Sequence, residues 1–146
     1  MILKASARGG GQNLAVHLMR TDDNEHIDVH EIRGFAAETV RGAFKEAHAI
    51  SRATRCQKYL FSLSLNPPEG EHVSKQAFED AIERIEDTLG LTGQPRAVVF
   101  HEKEGRRHAH CVWARIDAAT MKARPLPVFK TKLMEASRSL YRENDW

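Results

Sequence analysis

Residues 97–117 read AVVFHEKEGRRHAHCVWARID and contain two apolar runs, at 97–100 and at 111–116, the second interrupted only by Arg115. The residues between the runs are mostly charged and include a glycine and three histidines. Two apolar runs joined by a short polar segment that contains glycine are typical of an antiparallel hairpin. We therefore expect two paired strands here, with a tight turn inside the polar segment.

Three histidines flank that turn. His108 and His110 are two residues apart, and because side chains alternate across a strand they should point to the same face. His101, at the end of the first strand, can lie beside them. Such a set predicts a metal site that leaves positions open for a substrate. A His-x-His pair alone is more often surface chemistry or packing, but the third histidine favours the metal site. Glu104, in the turn, can accept an imidazole N–H.

The rest of the chain alternates between strands and helices. Apolar spacing predicts strands at 1–6, 27–33 and 57–65 and helices at 13–20, 35–54, 74–89 and 129–143. Strict alternation would favour a parallel sheet, but the hairpin favours a mixed, mainly antiparallel sheet with helices packed on one face. The expected fold class is therefore an α+β two-layer sandwich, whose other sheet face is left for a ligand.

The first helix follows a glycine-rich basic turn at 7–11. Such a turn either lets the backbone approach a phosphate closely or is a plain flexible connection. Asn13 can cap the helix. His17 lies at the edge of the apolar stripe, where a histidine is usually a surface or core-edge residue. The acidic residues of the third helix, Glu86 among them, are expected to be solvated.

Length and composition limit the function classes. A chain of 146 residues allows one domain, and the final helical pattern has no stop signal, so residues 1–146 are expected to be the front domain of a longer protein. With 22 basic and 20 acidic residues, a DNA-binding face must come from local clustering. Two cysteines and the lack of a signal-peptide pattern or a membrane-length apolar run favour a reducing cytoplasm.

The stretch HEKEGRRHAH, followed by CVWARID, resembles the third motif of the relaxase, or mobilization nuclease, family of HUH endonucleases. These enzymes nick one strand at the transfer origin of a plasmid or conjugative element. The family pattern is a histidine, acidic residues just after it, and His-x-His seven and nine residues on. The glycine-rich turn, HEIRG at 30–34 and FSLSLNPPE at 61–69 extend the similarity. The resemblance implies an HUH-type fold, metal ligands at His101, His108 and His110, and Mn²⁺ or Mg²⁺ as the working ion.

One position departs from the family pattern. Most such relaxases carry a catalytic tyrosine in the first helix, in a Leu-x-x-Tyr-Leu pattern, whereas LAVHL places His17 there. The chain has only two tyrosines, Tyr59 and Tyr141, and neither lies in that helix. The resemblance implies a branch in which His17 attacks phosphorus and leaves a 5′-phosphate–histidine bond and a free 3′ hydroxyl. Glu104 is assigned a supporting role, and acid is expected to slow the reaction because a protonated imidazole cannot attack.

Contacts to DNA are expected from basic residues around the turns: Arg8, Lys103, Arg106 and Arg107. The alternative for each is an ordinary solvated charge. The partners implied by the resemblance are single-stranded origin DNA, the accessory proteins of a relaxosome and a coupling protein.

Two other function classes remain open at this stage. A metal-dependent phosphodiesterase would activate water and form no covalent adduct, so that His17 would be structural. A non-catalytic DNA-binding module would keep the histidines as a structural metal site and bind DNA without metal. A structural site usually has four protein ligands, often with cysteine, and Cys111 should face away from His110.

Overall fold

The computed structural model describes residues 1–21 and 26–146. Its elements in chain order are β1 (Ile2–Arg8), α1 (Gly11–Leu18), β2 (His26–Arg33), α2 (Val40–Ser51), β3 (Leu60–Asn66), α3 (Lys75–Leu89), β4 (Arg96–Lys103), β5 (Arg106–Ala114), β6 (Ile116–Asp117), β7 (Lys122–Ala123) and α4 (Phe129–Glu143). In these described parts, no helix is both long enough and apolar enough to span a membrane.

The five longer strands form one sheet in the order β1-β3-β5-β4-β2, and every pairing among them is antiparallel. The predicted α+β class with a mainly antiparallel sheet is confirmed. The central hairpin is β4–β5, joined by Glu104 and Gly105, whose φ angles are 52° and 76°. A two-residue turn with two positive φ angles matches the right-handed twist of the paired strands, which explains the tight connection.

The longer helices α3 and α4 cover one face of the sheet. Their apolar stripes pack against the inward side chains of β3, β4 and β5; this core includes Phe61, Leu63, Phe78, Ile82, Ile85, Phe100, Trp113, Leu133 and Leu140. The stripes predicted for both helices are therefore buried as expected. Trp113 is completely buried in this core, on the side opposite to the histidines.

The short helices α1 and α2 pack on part of the other face. They bury Leu14, Leu18 and Phe44 against Val99 and Val112 of the sheet. The expected layer of helices on one face therefore describes α3 and α4, and the structure adds this second, partial layer. Its extent follows from the sequence, because this face of the sheet is apolar only at one end and carries serines and histidines at the other.

Several local expectations need correction. Helix α1 starts at Gly11, after Gly10 in a left-handed conformation, and no side chain caps it, so the assignment of Asn13 as the cap is wrong. Helix α2 starts at Val40 rather than at 35, because the side chain of Thr39 caps it there. Tyr59 precedes β3, which starts at residue 60, and it is buried with α1 and α2 rather than with Phe61.

Glu86 was expected to be solvated, and this expectation is wrong. Its side chain is only 2% exposed and accepts hydrogen bonds from Trp113 Nε1 at 2.8 Å, Arg96 at 3.0 Å and Arg33 at 2.5 Å. Arg96 is itself buried and also pairs with carboxylates of β2 and α3. A buried carboxylate needs such partners, and here they come from strands that are distant in the sequence. Burial opposes the charge of Arg96, but its hydrogen bonds to Glu31 and to α3 raise its pKa overall.

Candidate metal centre

The three histidines of the central hairpin meet on one face of the sheet. His108 and His110 lie two residues apart on β5, and His101 of β4 is paired directly opposite His108. One ring nitrogen from each lies within 4.8 Å of the others. The structure therefore brings together the three residues that the sequence predicted. We call this set the histidine triad.

The donor atoms of the triad suit a divalent metal ion. Burial lowers the pKa of His110 to about 3, helped by the charges of the other triad members and of His17. Burial also lowers the pKa of His108, with further contributions from His101 and Arg106. The imidazoles are therefore neutral at pH 7 and can offer lone pairs to a metal without first losing a proton. A metal ion bound by these three nitrogen atoms would keep further coordination positions open.

The C-terminal end of α1 contacts the triad. The carbonyl oxygen of Leu18 lies 2.6 Å from Nε2 of His101, in a buried hydrogen bond. Burial lowers the pKa of His101, and the charge of the nearby His17 lowers it further, whereas the hydrogen bond to Leu18 acts to raise it. His17 precedes Leu18 and its side chain is exposed. The structure thus places His17 beside the triad and open to solvent.

Close packing fixes the other end of α1. The backbone N–H of Gly11 donates to the hydroxyl oxygen of Tyr59 at 2.9 Å. A Cβ atom at Gly11 would lie 2.9 Å from that oxygen and 3.0 Å from Cβ of Phe44, so only glycine fits without a shift of its neighbours. Tyr59 therefore anchors the helix at the end away from the triad. Tyr141 is on α4, which packs against the opposite face of the sheet.

Glu104 and two of the predicted DNA contacts lie at the tip of the hairpin. Lys103 and Arg106 are paired directly opposite each other and, by strand alternation, share the face of the triad. Together with Glu104 and His108 they line a cavity of about 360 Å³. Glu104 is exposed and follows His101 by three residues, so it lies near the triad, and its supporting role stays a prediction.

The other two predicted DNA contacts, Arg8 and Arg107, are bound to groups of the protein itself. Arg107 is paired opposite Glu102, on the face away from the triad, and forms a salt bridge with it at 2.7 Å. Arg107 also donates to the carbonyl oxygen of Val73 at 3.2 Å. Arg8 is at the end of β1, where its Nε donates to the carbonyl oxygen of Gly9 at 3.1 Å. Arg107 also lines the hairpin-tip cavity that His108 lines, so of the four predicted contacts the structure separates only Arg8 from this cavity.

Sequence reasoning missed a polar row next to the triad. Ser64 of β3 is paired directly opposite His110, and Lys4 of β1 is paired directly opposite Ser64. Directly paired residues share a face of the sheet, so this row leads from the triad to the edge strand. The alternating sequence of β3 already predicts that its serines lie on the face opposite to its buried apolar residues. Only the pairing of β3 with β5, however, places one of them beside a histidine.

Comparison with known protein families gave a match over most of the chain. The family model described as "Relaxase: MobA/VirD2-like, nuclease domain" matches residues 12–146. This range is well over half of the chain and includes His17 and the whole triad. Comparisons with curated proteins and with solved structures gave no significant match.

Proposed function

The chain belongs to the relaxase family, with a MobA/VirD2-like nuclease domain, and from this premise we propose that it nicks one DNA strand at a transfer origin and stays attached to the cut end through His17. The family assignment by itself indicates a nuclease that acts on DNA. The covalent step, the nucleophile and the origin are the parts that we add.

One observation carries the choice of nucleophile. The hydrogen bond from His101 to the carbonyl oxygen of Leu18 holds the end of α1 against the triad, and His17 is the adjacent, exposed residue. Neither tyrosine of the chain lies there: Tyr59 is buried at the far end of α1, and Tyr141 is on the helix behind the sheet. A nucleophile must lie close to the positive centre that stabilises the transition state. His17 meets this requirement.

The reaction balances without a further reactant. A neutral ring nitrogen of His17 attacks the phosphorus in line with the 3′ oxygen, a phosphorus–nitrogen bond forms, and the bond from phosphorus to the 3′ oxygen breaks. The departing oxygen takes up a proton, and the other ring nitrogen of His17 releases one. A divalent ion held by the triad would neutralise charge on the phosphate oxygens. The stored phosphorus–nitrogen bond allows the strand to be rejoined by the reverse reaction.

The setting of this reaction belongs to the same proposal. The working ion is Mn²⁺ or Mg²⁺, although imidazole ligands bind later transition metals more tightly. The substrate is single-stranded DNA of a plasmid or conjugative element in the cytoplasm. Accessory proteins of a relaxosome and a coupling protein would present it for transfer. Lys103 and Arg106 at the tip of the hairpin are placed to contact phosphates, and Glu104 would support the triad or the nucleophile.

A denaturing gel tests the proposal. The protein is incubated with end-labelled single-stranded DNA carrying the transfer origin of its own element, with Mn²⁺ or with EDTA. We expect a protein–DNA adduct that requires Mn²⁺, is lost in His17→Phe, and is retained in Tyr141→Phe and in His72→Phe, a matched change of an exposed histidine.

Each other outcome identifies a different function. Cleavage without an adduct would show a phosphodiesterase that activates water. DNA binding that survives EDTA, with no cleavage, would show a non-catalytic binding module. An adduct that persists in His17→Phe but is lost in Tyr141→Phe would overturn the nucleophile and keep the family chemistry.

A further inference from the structure

We propose that a second site, separate from the triad, binds one nucleotide of the same DNA strand; this inference rests on the proposed nicking function. The site is a cavity of about 670 Å³ between the start of α1 and the end of α2, which we call the α1–α2 cavity. Three independent features of this cavity point to a nucleotide: the charge of its lining, a stacked pair of rings and its position relative to His17.

The lining is cationic. No aspartate or glutamate lines the α1–α2 cavity, whereas Arg52 and Arg55 do. Both arginines are exposed, and among residues 1–21 and 26–146 neither guanidinium has a carboxylate partner. Most other arginines of the described chain are tied to carboxylates or carbonyl oxygens. Two free guanidiniums at the mouth of a cavity without acidic groups favour a phosphate as part of the ligand.

A flat aromatic surface lies in the same cavity. The ring of His48 is stacked on the ring of Tyr59, with their centroids 5.2 Å apart and their planes at 25°. Tyr59 is 6% exposed and is held by the N–H of Gly11, so this ring cannot move freely. His48 is exposed, which leaves its outer face for a further ring. Nucleic-acid bases stack on such rings regardless of their sequence. A phosphate site beside a stacking surface fits a nucleotide.

The position of the cavity links it to His17. Helix α1 starts at the cavity and ends at the triad, and its exposed residues Asn13, Val16 and His17 lie on one side, at spacings of three and four. The six helical steps from Gly11 to His17 span about 9 Å, which corresponds to about three stacked nucleotides at 3.4 Å each. A strand that follows this side of α1 therefore places its reacting phosphate at His17 and a base about three nucleotides away in the cavity.

A native thiol reports on the cavity. Cys56 lines it and is partly exposed, whereas Cys111 is fully buried and burial raises the pKa of its thiol. Iodoacetamide should therefore modify Cys56 and leave Cys111 intact in the folded protein. In EDTA, which prevents cleavage, we expect the single-stranded origin DNA to slow the alkylation of Cys56 at least about fivefold at saturation, measured by mass spectrometry. An unchanged rate would count against a strand in the cavity.

Binding affinity gives the second measurement. The variant Arg52→Gln/Arg55→Gln is compared with Arg138→Gln/Arg142→Gln, which removes the same charge from exposed positions of α4. Fluorescence anisotropy with the labelled origin strand in EDTA should show about tenfold weaker binding for the cavity pair, and a salt dependence reduced by about 1.4 in slope. The control pair should stay within about twofold. If the two double variants lose the same affinity for DNA, the proposal is overturned, whatever the rate of Cys56 alkylation.

The nucleotide itself can be located. Single abasic substitutions are placed one to five nucleotides from the cleaved phosphate, on either side. An abasic substitution at one position, about three nucleotides away, should weaken binding to the unchanged protein. The same substitution should not weaken binding further in His48→Ala, because the stacking contact is already lost. Additive effects at every position would show that no base occupies the cavity.

The two proposals fail separately. Suppose that a His17-dependent adduct forms, but that DNA does not slow the alkylation of Cys56 and the two arginine double variants lose the same affinity. This result would overturn the second site and leave the nicking function intact. Shielding of Cys56 with weaker binding of the cavity pair, but without any adduct, would confirm the second site and overturn the covalent step.

Discussion

Nε2 of His101 lies 2.6 Å from the carbonyl oxygen of Leu18. A carbonyl oxygen only accepts hydrogen bonds, so Nε2 must carry the hydrogen, and in a neutral ring the lone pair is then on Nδ1. The contact is buried and joins residues 83 positions apart in the sequence. One hydrogen bond therefore both selects the tautomer of a member of the histidine triad and positions the helix that carries His17.

The first prediction concerns this tautomer. In the metal-free protein, ¹⁵N NMR of the imidazoles should show His101 with a protonated Nε2 and an unprotonated Nδ1. Zn²⁺, a diamagnetic probe, should shift the Nδ1 resonance and leave Nε2–H in place, because the carbonyl of Leu18 still requires a donor. His72, which is exposed, should show no such fixed tautomer. A Zn²⁺ complex in which Nε2 of His101 has lost its hydrogen would contradict the structure.

A second prediction tests the triad as the metal site. His110→Gln removes one of three ligands and should weaken Mn²⁺ binding by at least about a hundredfold in titration calorimetry, because even indirect changes at metal sites cost about 10–100-fold. The matched change His72→Gln, at an exposed histidine that is not part of the triad, should leave the affinity unchanged. Equal affinity of the two variants would place the ion elsewhere.

The triad could be predicted from the sequence because its geometry is local. All three histidines lie within the ten residues 101–110 of one hairpin, and alternation along its two strands is enough to place them on one face. The proximity of His17 could not be derived in this way. It depends on how α1 packs on the sheet, and helical spacing shows only that His17 borders the apolar stripe of its own helix.

The buried charges were missed for a related reason. Glu86 is next to the apolar stripe of α3, and periodicity places such residues at the boundary between core and solvent. Its burial depends on Trp113 and Arg96, which supply hydrogen bonds from β5 and β4. Strand order decides that these donors face α3. The sequence pattern predicts which side of each helix or strand is apolar, but it does not predict which helices and strands are neighbours in the fold.

A third prediction follows from the lowered pKa values of the triad. In the unfolded chain a histidine titrates near pH 6.5, whereas burial lowers the pKa of His110 to about 3 in the folded protein. The unfolded chain therefore binds more protons in acid. The free energy of unfolding contributed by neutral His110 is present above about pH 6.5 and is lost as the pH falls toward 3. Urea unfolding in EDTA should show a loss of about 2 kcal/mol from this residue between pH 8 and pH 5. The free energy of unfolding of His110→Gln should fall by about 2 kcal/mol less over this range. An identical fall in the variant would refute a lowered pKa of His110 as the cause.

A fourth prediction concerns the buried ion pairs behind the sheet. Arg96→Met leaves the buried carboxylate of Glu86 with fewer donors and frees Glu31 and Glu83, which lie 2.6 Å from the guanidinium. Removing one partner of a buried pair typically costs about 3–5 kcal/mol, and we expect a loss of at least about 3 kcal/mol in urea unfolding. Arg84→Met breaks an exposed ion pair between α3 and α4 and should cost less than about 1 kcal/mol. Similar losses for the two variants would mean that the network contributes little.

The last prediction exchanges the nucleophile. Tyrosine is the usual residue of the family at the position of His17, and the exposed side of α1 leaves room for it. His17→Tyr should therefore form a protein–DNA adduct with Mn²⁺, whereas His17→Phe, which has nearly the same shape but no nucleophilic atom, should form none. The two adducts should differ chemically: the phosphorus–nitrogen bond of the natural protein is broken by brief acid treatment, and the phosphotyrosine bond of the variant survives it. The tyrosine variant should also favour higher pH, because a phenol with a pKa of about 10 must lose a proton before it attacks. If His17→Tyr binds the origin strand normally yet forms no adduct, the side chain at this position does not reach the phosphate, and the assignment of His17 as the nucleophile is wrong.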